Sequence, residues 1–312
     1  MPEVRINLPS LTINALLAVL LLGACSAPPS PLATETQPPA TLSNAPLPST
    51  GTASSPPSSG ITSTMIRPSD GMEMVYVPGG SFILSERGKG GEGAHNVTLN
   101  NYWIDQTEIT NMHYSQCVED GVCQAPTACA WGDPTYEDDS YQDHPVICVT
   151  WQMANDYCEW AGGRLPTEAE WDYAARGPER RLYPWGDHFD AAMLNFCDSS
   201  CPHEDAQYPN YNDGYVKTSP AGSYPNGASW CGAMDMAGNV WEWVSDRYAP
   251  YEAIDQDNPQ GPKTGSERLI RGGSWYDDAH FLRSDFRHQY NPEDFIHLIG
   301  FRCVVPGIDN EQ

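Results

Sequence analysis

The segment from Ser26 to Ile66 places the strongest limit on how this chain can fold. It consists mainly of Pro, Ser, Thr and Ala, and its one charged residue is Glu35. Because so few apolar side chains cannot bury enough surface to offset the entropy lost on ordering, we expect an extended spacer without a core. Its proline pairs favour polyproline conformations. The folded domain is therefore predicted to run from Arg67 to Gln312, which is long enough to enclose a sizeable core.

Residues 1–25, before the spacer, have the pattern of an export signal. The apolar run from Leu11 to Leu22 is too short to cross a bilayer comfortably and fits the central region of a signal peptide. The run ends in Leu22-Gly-Ala-Cys25, which resembles the bacterial lipobox, whose cysteine is lipidated and becomes the mature N-terminus. The alternative is an ordinary cleaved signal with a chance cysteine. Since a spacer follows, we predict lipidation of Cys25 and an exported protein, lipid-anchored in the bacterial cell envelope and displayed at the surface.

The charge of the chain excludes one class of partner. The sequence has 41 Asp and Glu against 16 Lys and Arg, a formal net charge of −25. Because this charge repels phosphate backbones, nucleic acid is excluded as a main partner, and hard cations are favoured instead. The many Gly, Pro, Trp and Tyr residues indicate a loop-rich globular domain rather than a coiled coil.

Ten cysteines predict disulfides in an exported chain. If Cys25 is lipidated, an odd number remains, and Cys231 has no obvious partner. Cys197 and Cys201 are followed by His203, so a metal site is conceivable, but a disulfide is the interpretation we favour for one short cluster. The predicted pairs are Cys117–Cys123, Cys197–Cys201 and, by elimination, Cys129–Cys148.

Local signals predict an α+β domain. Thr110 can cap a short helix that ends before Gly121, and Thr150 can cap a helix from Trp151 to Ala161. A third helix begins with the capping box Thr167-Glu-Ala-Glu170. Short strands are predicted at 74–77, 81–84, 97–104, 240–244, 269–275 and 300–305.

Six separated motifs give the domain a family resemblance. They are Gly79-Gly-Ser-Phe82, Trp160-Ala-Gly-Gly-Arg-Leu-Pro-Thr-Glu-Ala-Glu-Trp171, Tyr183-Pro-Trp-Gly-Asp187, Met236-Ala-Gly-Asn-Val-Trp-Glu-Trp243, Arg271-Gly-Gly-Ser-Trp275 and Gly300-Phe-Arg-Cys303. In this order and spacing they resemble the formylglycine-generating enzyme (sulfatase-modifying factor) family, from residue 70 onward. The resemblance implies that family's variant of the C-type lectin-like fold, with little regular structure, and a disulfide between Cys158 and Cys303.

The same resemblance defines where a copper site would lie. The family's enzymes use copper and oxygen to oxidise a cysteine of a sulfatase peptide to formylglycine, with two cysteines that hold Cu(I). The matching positions here are Asp277 and Leu282, although the neighbouring Ser274 is retained. Because Cu(I) selects soft sulfur ligands, we expect no copper and no catalytic residues of that kind.

Two calcium sites are also implied by the resemblance. The alternative is that acids such as Asp213 and Glu242 are ordinary surface residues. Since carboxylate, amide and carbonyl oxygens are the ligands that calcium selects, we favour structural calcium. The implied ligands are Asn195, Phe196, Asp213 and Tyr215 in one site, and Asp235, Gly238, Val240 and Glu242 in the other.

The segment that replaces the copper site combines aromatic and polar side chains, as binding surfaces do. The alternative is that its arginines only form salt bridges within an acidic domain. His280, His288 and His297 could in principle bind a metal, but nothing in the sequence makes them converge. The predicted ligand-binding residues are Trp275, Tyr276, Asp277, Asp278, His280, Arg283 and Arg287.

These features favour a calcium-stabilised binding module, with a peptide, protein or glycan as its unidentified ligand. The alternatives are a divergent formylglycine-generating oxidase or another metal-dependent oxidase, and an accessory domain that scaffolds an envelope complex. Whether the chain is an enzyme stays open, with binding preferred. Bound copper or iron would favour an oxidase, and calcium alone would favour binding.

Overall fold

The structure, a computed structural model, describes residues 63–85, 93–202, 208 and 210–307. The predicted signal, Cys25 and residues 26–62 of the predicted spacer lie outside the described residues, as does His203. Thr64–Ile66, the end of the predicted spacer, forms a strand that pairs with Glu73–Val77. Backbone pairing therefore places these three residues in a sheet of the folded part of the chain, and Met65 packs against its hydrophobic core.

Three small sheets form the framework. The strands are β1 (Thr64–Ile66), β2 (Glu73–Val77), β3 (Gly80–Leu84), β4 (His95–Leu99), β5 (Tyr102–Asp105), β6 (Trp241–Arg247), β7 (Gln256–Asp257), β8 (Arg268–Arg271), β9 (His288–Tyr290), β10 (Ile299–Phe301) and β11 (Val304–Pro306). Their orders are β1-β2-β5-β11, β10-β6-β8-β9 and β3-β4-β7. The single strand predicted at 97–104 is two strands in different sheets, because the chain turns at Asn100, whose amide donates to the side chain of Asn258.

Three α-helices begin at the predicted caps. They are α1 (Asn111–Glu119), α2 (Trp151–Trp160) and α3 (Glu168–Arg176), and short 3-10 turns cover Asp139–Tyr141, Ala191–Met193 and Pro225–Gly227. The hydroxyls of Thr110, Thr150 and Thr167 each accept a backbone N–H of the first turn. None of the helices in the described ranges is long and apolar enough to cross a bilayer. The α+β prediction is confirmed.

The aromatic core lies between the helices and the two four-stranded sheets. Trp243 of β6 packs in one cluster with α1, α2 and β10, and Trp171 of α3 packs in a second with β2, β4 and β5. Four disulfides link segments of the described chain: Cys117–Cys123, Cys129–Cys148, Cys158–Cys303 and Cys197–Cys201. Among the described cysteines, Cys231 alone is free; it is buried, and burial raises the pKa of its thiol.

The buried side chain of Arg67 connects separate segments of the chain through ion pairs. Arg67 donates from Nη1 to Asp105 over 2.7 Å and from Nη2 to Asp70 over 2.6 Å, and both carboxylates are fully buried. Burial raises the pKa of Asp105 to about 6, and the Arg67 charge opposes that rise. The pair therefore joins the end of β1 to β5.

We expect Arg67→Met to destabilise the domain by about 3–5 kcal/mol, because it leaves two carboxylates buried without their counter-charge. Urea unfolding measures the change. The control is Arg181→Met, which removes a pair with the exposed carboxylate of Glu179 and should change the free energy of unfolding by at most about 1 kcal/mol. Equal losses in the two variants would contradict this account.

Candidate functional site

The candidate site begins where β8 ends. Arg271 donates to Glu168 over 3.0 Å and to Asp172 over 2.7 Å, both on α3. Gly272 and Gly273 follow with φ of 98° and 77°, a left-handed conformation that favours glycine. The ion pairs and the two glycines together fix the direction in which the chain enters the next loop, at Ser274.

Asp277 occupies the first position at which the family resemblance implies a copper ligand. Its Oδ2 accepts the Ser274 N–H at 2.9 Å, the Ser274 hydroxyl, and the Trp241 indole N–H at 2.9 Å. Burial raises the pKa of the Asp277 carboxyl, whereas these hydrogen bonds lower it. The carboxylate therefore serves as the acceptor that closes this loop.

Leu282 occupies the second position and is completely buried. It packs in an apolar cluster that also contains Tyr183, Leu194 and Phe196. Cys231, the free thiol among the described residues, donates to the carbonyl of Ala174. The described residues therefore offer no pair of thiolates, and the donor set does not fit Cu(I). They also contain no group of three His, Cys, Asp or Glu side chains that could hold a metal ion.

The first set of implied calcium ligands leaves two buried oxygens unpaired. Oδ1 of Asn195 and Oδ2 of Asp213 have no hydrogen-bond partner. The segments are adjacent, since the Asn195 amide donates to the Lys217 carbonyl at 2.9 Å. Burial, reinforced by the charge of Asp198, raises the pKa of Asp213 to about 6. Unpaired acceptors with a raised carboxyl pKa are suited to a cation, so this set fits calcium.

The second set is more heavily committed to protein contacts. Glu242 accepts from Arg302 at 2.7 Å on each oxygen and from the Trp171 indole at 2.8 Å. Asp235 accepts the Gly222 N–H at 2.6 Å. These contacts leave the oxygens of Glu242 less available to calcium than those of the first set.

Glu108 is a buried neighbour that sequence reasoning missed. Its Oε2 is buried without a partner. Burial and then the charge of Asp235 raise the pKa of Glu108 well above its usual range. Asn239 joins both implied sites, because its side-chain N–H donates to Glu108 at 3.1 Å and its backbone N–H donates to the Asn195 carbonyl at 2.9 Å. No local signal in the sequence places Glu108 beside Asp235.

The predicted ligand-binding residues divide between a surface and two ion pairs. Trp275 is buried, Tyr276 is half-buried and His280 is exposed. Arg283 pairs with Asp285 at 2.8 Å, and Arg287 pairs with Glu168 at 2.6 Å. Both arginines therefore form salt bridges within the domain, which the sequence analysis gave as the alternative to ligand binding. Asp278 accepts the His280 backbone N–H at 2.8 Å.

Two pairs of partly exposed aromatic rings involve the loop that contains Asp277. Trp131 and Phe281 are 49% and 38% exposed. Trp131 packs edge-on against Tyr276 with ring centroids 5.8 Å apart, and Phe281 packs against Phe286 at 5.0 Å. We call these four rings the aromatic band. Sequence reasoning missed Trp131, because its loop is distant along the chain and joins the band only through folding.

The three histidines occupy separate aromatic contacts. His280 lies against Phe286, and His288 lies against Trp241. His297 lies between Trp131 and Trp275, at centroid distances of 4.5 and 5.3 Å. Burial lowers the pKa of His297 and of His288. Within the described chain they are ring-packing residues, not part of a three-ligand metal group.

Comparison with known proteins gives the domain clear relatives. Residues 62–306 match the model of the sulfatase-modifying factor enzyme 1-like domain. The chain is 33% identical to the formylglycine-generating enzyme of Streptomyces coelicolor, over 76% of this chain and 90% of that protein. It is 30% identical to the inactive C-alpha-formylglycine-generating enzyme 2 of Mus musculus, over 74% of this chain and 85% of that protein.

The chain is also similar to one solved structure and to part of a kinase. The structure of PvdO from Pseudomonas aeruginosa is similar with a TM-score of 0.62 and 26% identity, covering 79% of this chain and 98% of that one. The serine/threonine-protein kinase Pkn1 of Chlamydia trachomatis is 35% identical over 74% of this chain. The match spans only 38% of the length of that kinase.

Proposed function

Because the chain belongs to the sulfatase-modifying factor enzyme 1-like domain family, we propose that it keeps the family's frame without its copper chemistry and acts as a ligand-binding or accessory domain. The observation that carries this proposal is the pair of side chains at the implied copper positions. Asp277 is committed to Ser274 and Trp241, and Leu282 is part of the apolar core. The mouse relative named as inactive agrees with such a loss, whereas the active Streptomyces relative favours a divergent oxidase as the second candidate.

Restoring the two thiols tests this proposal. We expect wild-type protein loaded with copper to produce no aldehyde from a cysteine-containing sulfatase peptide, measured by peptide mass. Asp277→Cys with Leu282→Cys should gain one Cu(I) equivalent in a chelator competition, because it supplies a thiolate pair. Asp277→Cys alone is the matched control and should not. Aldehyde produced by the wild-type protein would overturn the proposal in favour of the oxidase.

The aromatic band is the surface that we propose for the ligand, a peptide, protein or glycan. Exposed rings with neighbouring polar groups supply contact area and hydrogen bonds at low entropic cost. Tyr276 and Phe281 belong to the loop that contains Asp277 and Asp278, and each packs against a second ring of the band. The arginines at 283 and 287 support the surface through their ion pairs.

Calcium is proposed as a structural ion, first of all at Asn195 and Asp213. The unpaired oxygens of these two side chains, with the carbonyls of Phe196 and Tyr215, form the donor set that the family resemblance implies. A bound ion would order loops that lack helices and strands. The second implied set, with Asp235, is a weaker candidate because Glu242 is already paired with Arg302.

Asp213→Asn tests the first calcium site. In EGTA, a folded-state pKa of about 6, against an ordinary value of about 3.9, makes the folded state bind more protons than the unfolded state between these values. The contribution of Asp213 to wild-type stability should therefore fall as pH rises from about 4 to about 6, and above that the Asn variant should be more stable.

Calcium should reverse that order. At 100 times its Kd it should raise the wild-type Tm by roughly 5–10 °C and leave the Asp213→Asn variant almost unchanged. Asp190→Asn, at an exposed acid that caps a 3-10 turn, should respond as wild type does. A wild-type Tm that is insensitive to calcium would contradict the site.

Export and lipid anchoring are proposed from the apolar run at 11–22 and the lipobox-like Leu22-Gly-Ala-Cys25. We expect the mature protein to begin at Cys25 and to carry lipid. Two lipid chains would anchor it stably, whereas one would not. Intact mass of the membrane-extracted protein measures this. An unmodified mature N-terminus at another residue would indicate an ordinary cleaved signal.

A further inference from the structure

A cavity of about 370 Å³ lies between the start of α3, the β3–β4 hairpin and the loop that follows β6. Its volume falls within the range of about 300–1,000 Å³ typical of small-molecule sites. Of the predicted ligand-binding residues, only Arg287 lines it. Apolar wall is supplied by Pro250, Pro259 and Pro262. The proposed copper-free function does not use this cavity.

Asp246 supplies a buried carboxylate with one unused oxygen. It is 5% exposed and lines the cavity. Its Oδ2 accepts the Glu168 N–H at 2.9 Å and the Ser245 hydroxyl at 3.0 Å. Among the described residues, neither a hydrogen bond to Oδ1 nor an ion pair of Asp246 occurs. An acceptor without an ion-pair partner at the wall of a cavity can accept from a donor that enters the cavity.

Two other charged groups that line the cavity, Glu168 and Arg287, are already paired with each other. The exposed acid Glu252 also lines it. Glu168 accepts from Arg287 at 2.6 Å, from Arg271 at 3.0 Å and from the Tyr251 hydroxyl at 2.9 Å. The other terminal nitrogen of Arg287, Nη1, donates to the Ala249 carbonyl at 3.1 Å. The arginine that lines the cavity is therefore committed to protein acceptors.

His95 supplies a second open acceptor. Its Nδ1 lies 2.8 Å from the carbonyl oxygen of Gly93. A carbonyl can only accept, so in the neutral ring Nδ1 carries the hydrogen and Nε2 keeps a lone pair. No described residue bonds to Nε2, and His95 lines the cavity. The walls thus combine committed donors with open acceptors at Asp246 and His95.

We propose that this cavity binds a small organic cation, through a primary ammonium or guanidinium group that donates to Asp246 Oδ1 and His95 Nε2. The proline walls contact the alkyl part of the ligand. Calcium is disfavoured here, because it takes six to eight oxygen ligands and the buried part of the wall offers one open carboxylate oxygen, on Asp246. The acidity of the chain adds a long-range attraction for cations. This site is independent of the function proposed above.

The binding test uses n-butylammonium and n-butylguanidinium as probes in calorimetry at pH 8, with 1-butanol as the neutral control. We expect both cations to bind, and butanol to bind at least about tenfold more weakly, because it lacks the charge that pairs with the carboxylate. Absence of cation binding, or equal binding of butanol, would overturn the proposal whether or not any variant folds.

Asp246→Asn tests the carboxylate with little change of shape, since its amide oxygen can still accept the Glu168 N–H. It should weaken cation binding about tenfold or more. The matched control is Asp255→Asn, at an acid outside the lining that accepts from Asn96, and its affinity should stay within about twofold. Equal losses in both variants would indicate a diffuse charge effect and overturn the site.

The pH profile gives a second readout. Burial and then the charge of Glu168 raise the pKa of Asp246 to about 7. Cation affinity should therefore fall about tenfold from pH 8 to pH 6, as the carboxyl becomes protonated. Asp246→Asn should remove most of this dependence, and an unchanged profile would contradict the assignment. The titratable and charged groups that face Asp246 or line the cavity are Glu168, Glu170, Glu252, Arg164, Arg268, Arg287, His95 and Tyr251.

Discussion

The buried pair between Arg302 and Glu242 is the interaction on which most of this domain depends. Removing both charges from water is costly, and the cost is offset only when the remaining donors are also satisfied. Arg302 meets that condition: its five N–H groups make five hydrogen bonds, two to Glu242 and three to the carbonyls of Asp105, Gln106 and Met234. One guanidinium thus connects β6, the chain before β11 and two loops.

Buried ion pairs such as those of Arg302 and Arg271, rather than regular secondary structure, hold the candidate site in place. We call these ion pairs the frame. Arg271 and the two glycines after it fix where Ser274 lies, whatever residue stands at 277 or 282. Positions 277 and 282 can therefore carry either metal ligands or packed side chains without a change in the frame. That separation of frame and chemistry is consistent with relatives of which one is named as a formylglycine-generating enzyme and another as an inactive one.

Sequence reasoning succeeded where the signal is local. Each helix begins at a Thr whose hydroxyl accepts a first-turn N–H. It failed where distant segments meet. The division of 97–104 into strands of two sheets, the approach of Glu108 to Asp235 and the arrival of Trp131 at the Asp277 loop follow from tertiary packing, which no window of sequence contains.

The two edges of the first sheet come from opposite ends of the domain, β1 at Thr64–Ile66 and β11 at Val304–Pro306. Cys303, directly before β11, closes the bridge to α2 across a separation of 145 residues. Since pairing so distant in sequence is slow to form, the nascent domain has to wait for its last strand. Until β11 pairs, one side of β5 stays unpaired, and an unpaired strand edge is a template for association with other chains.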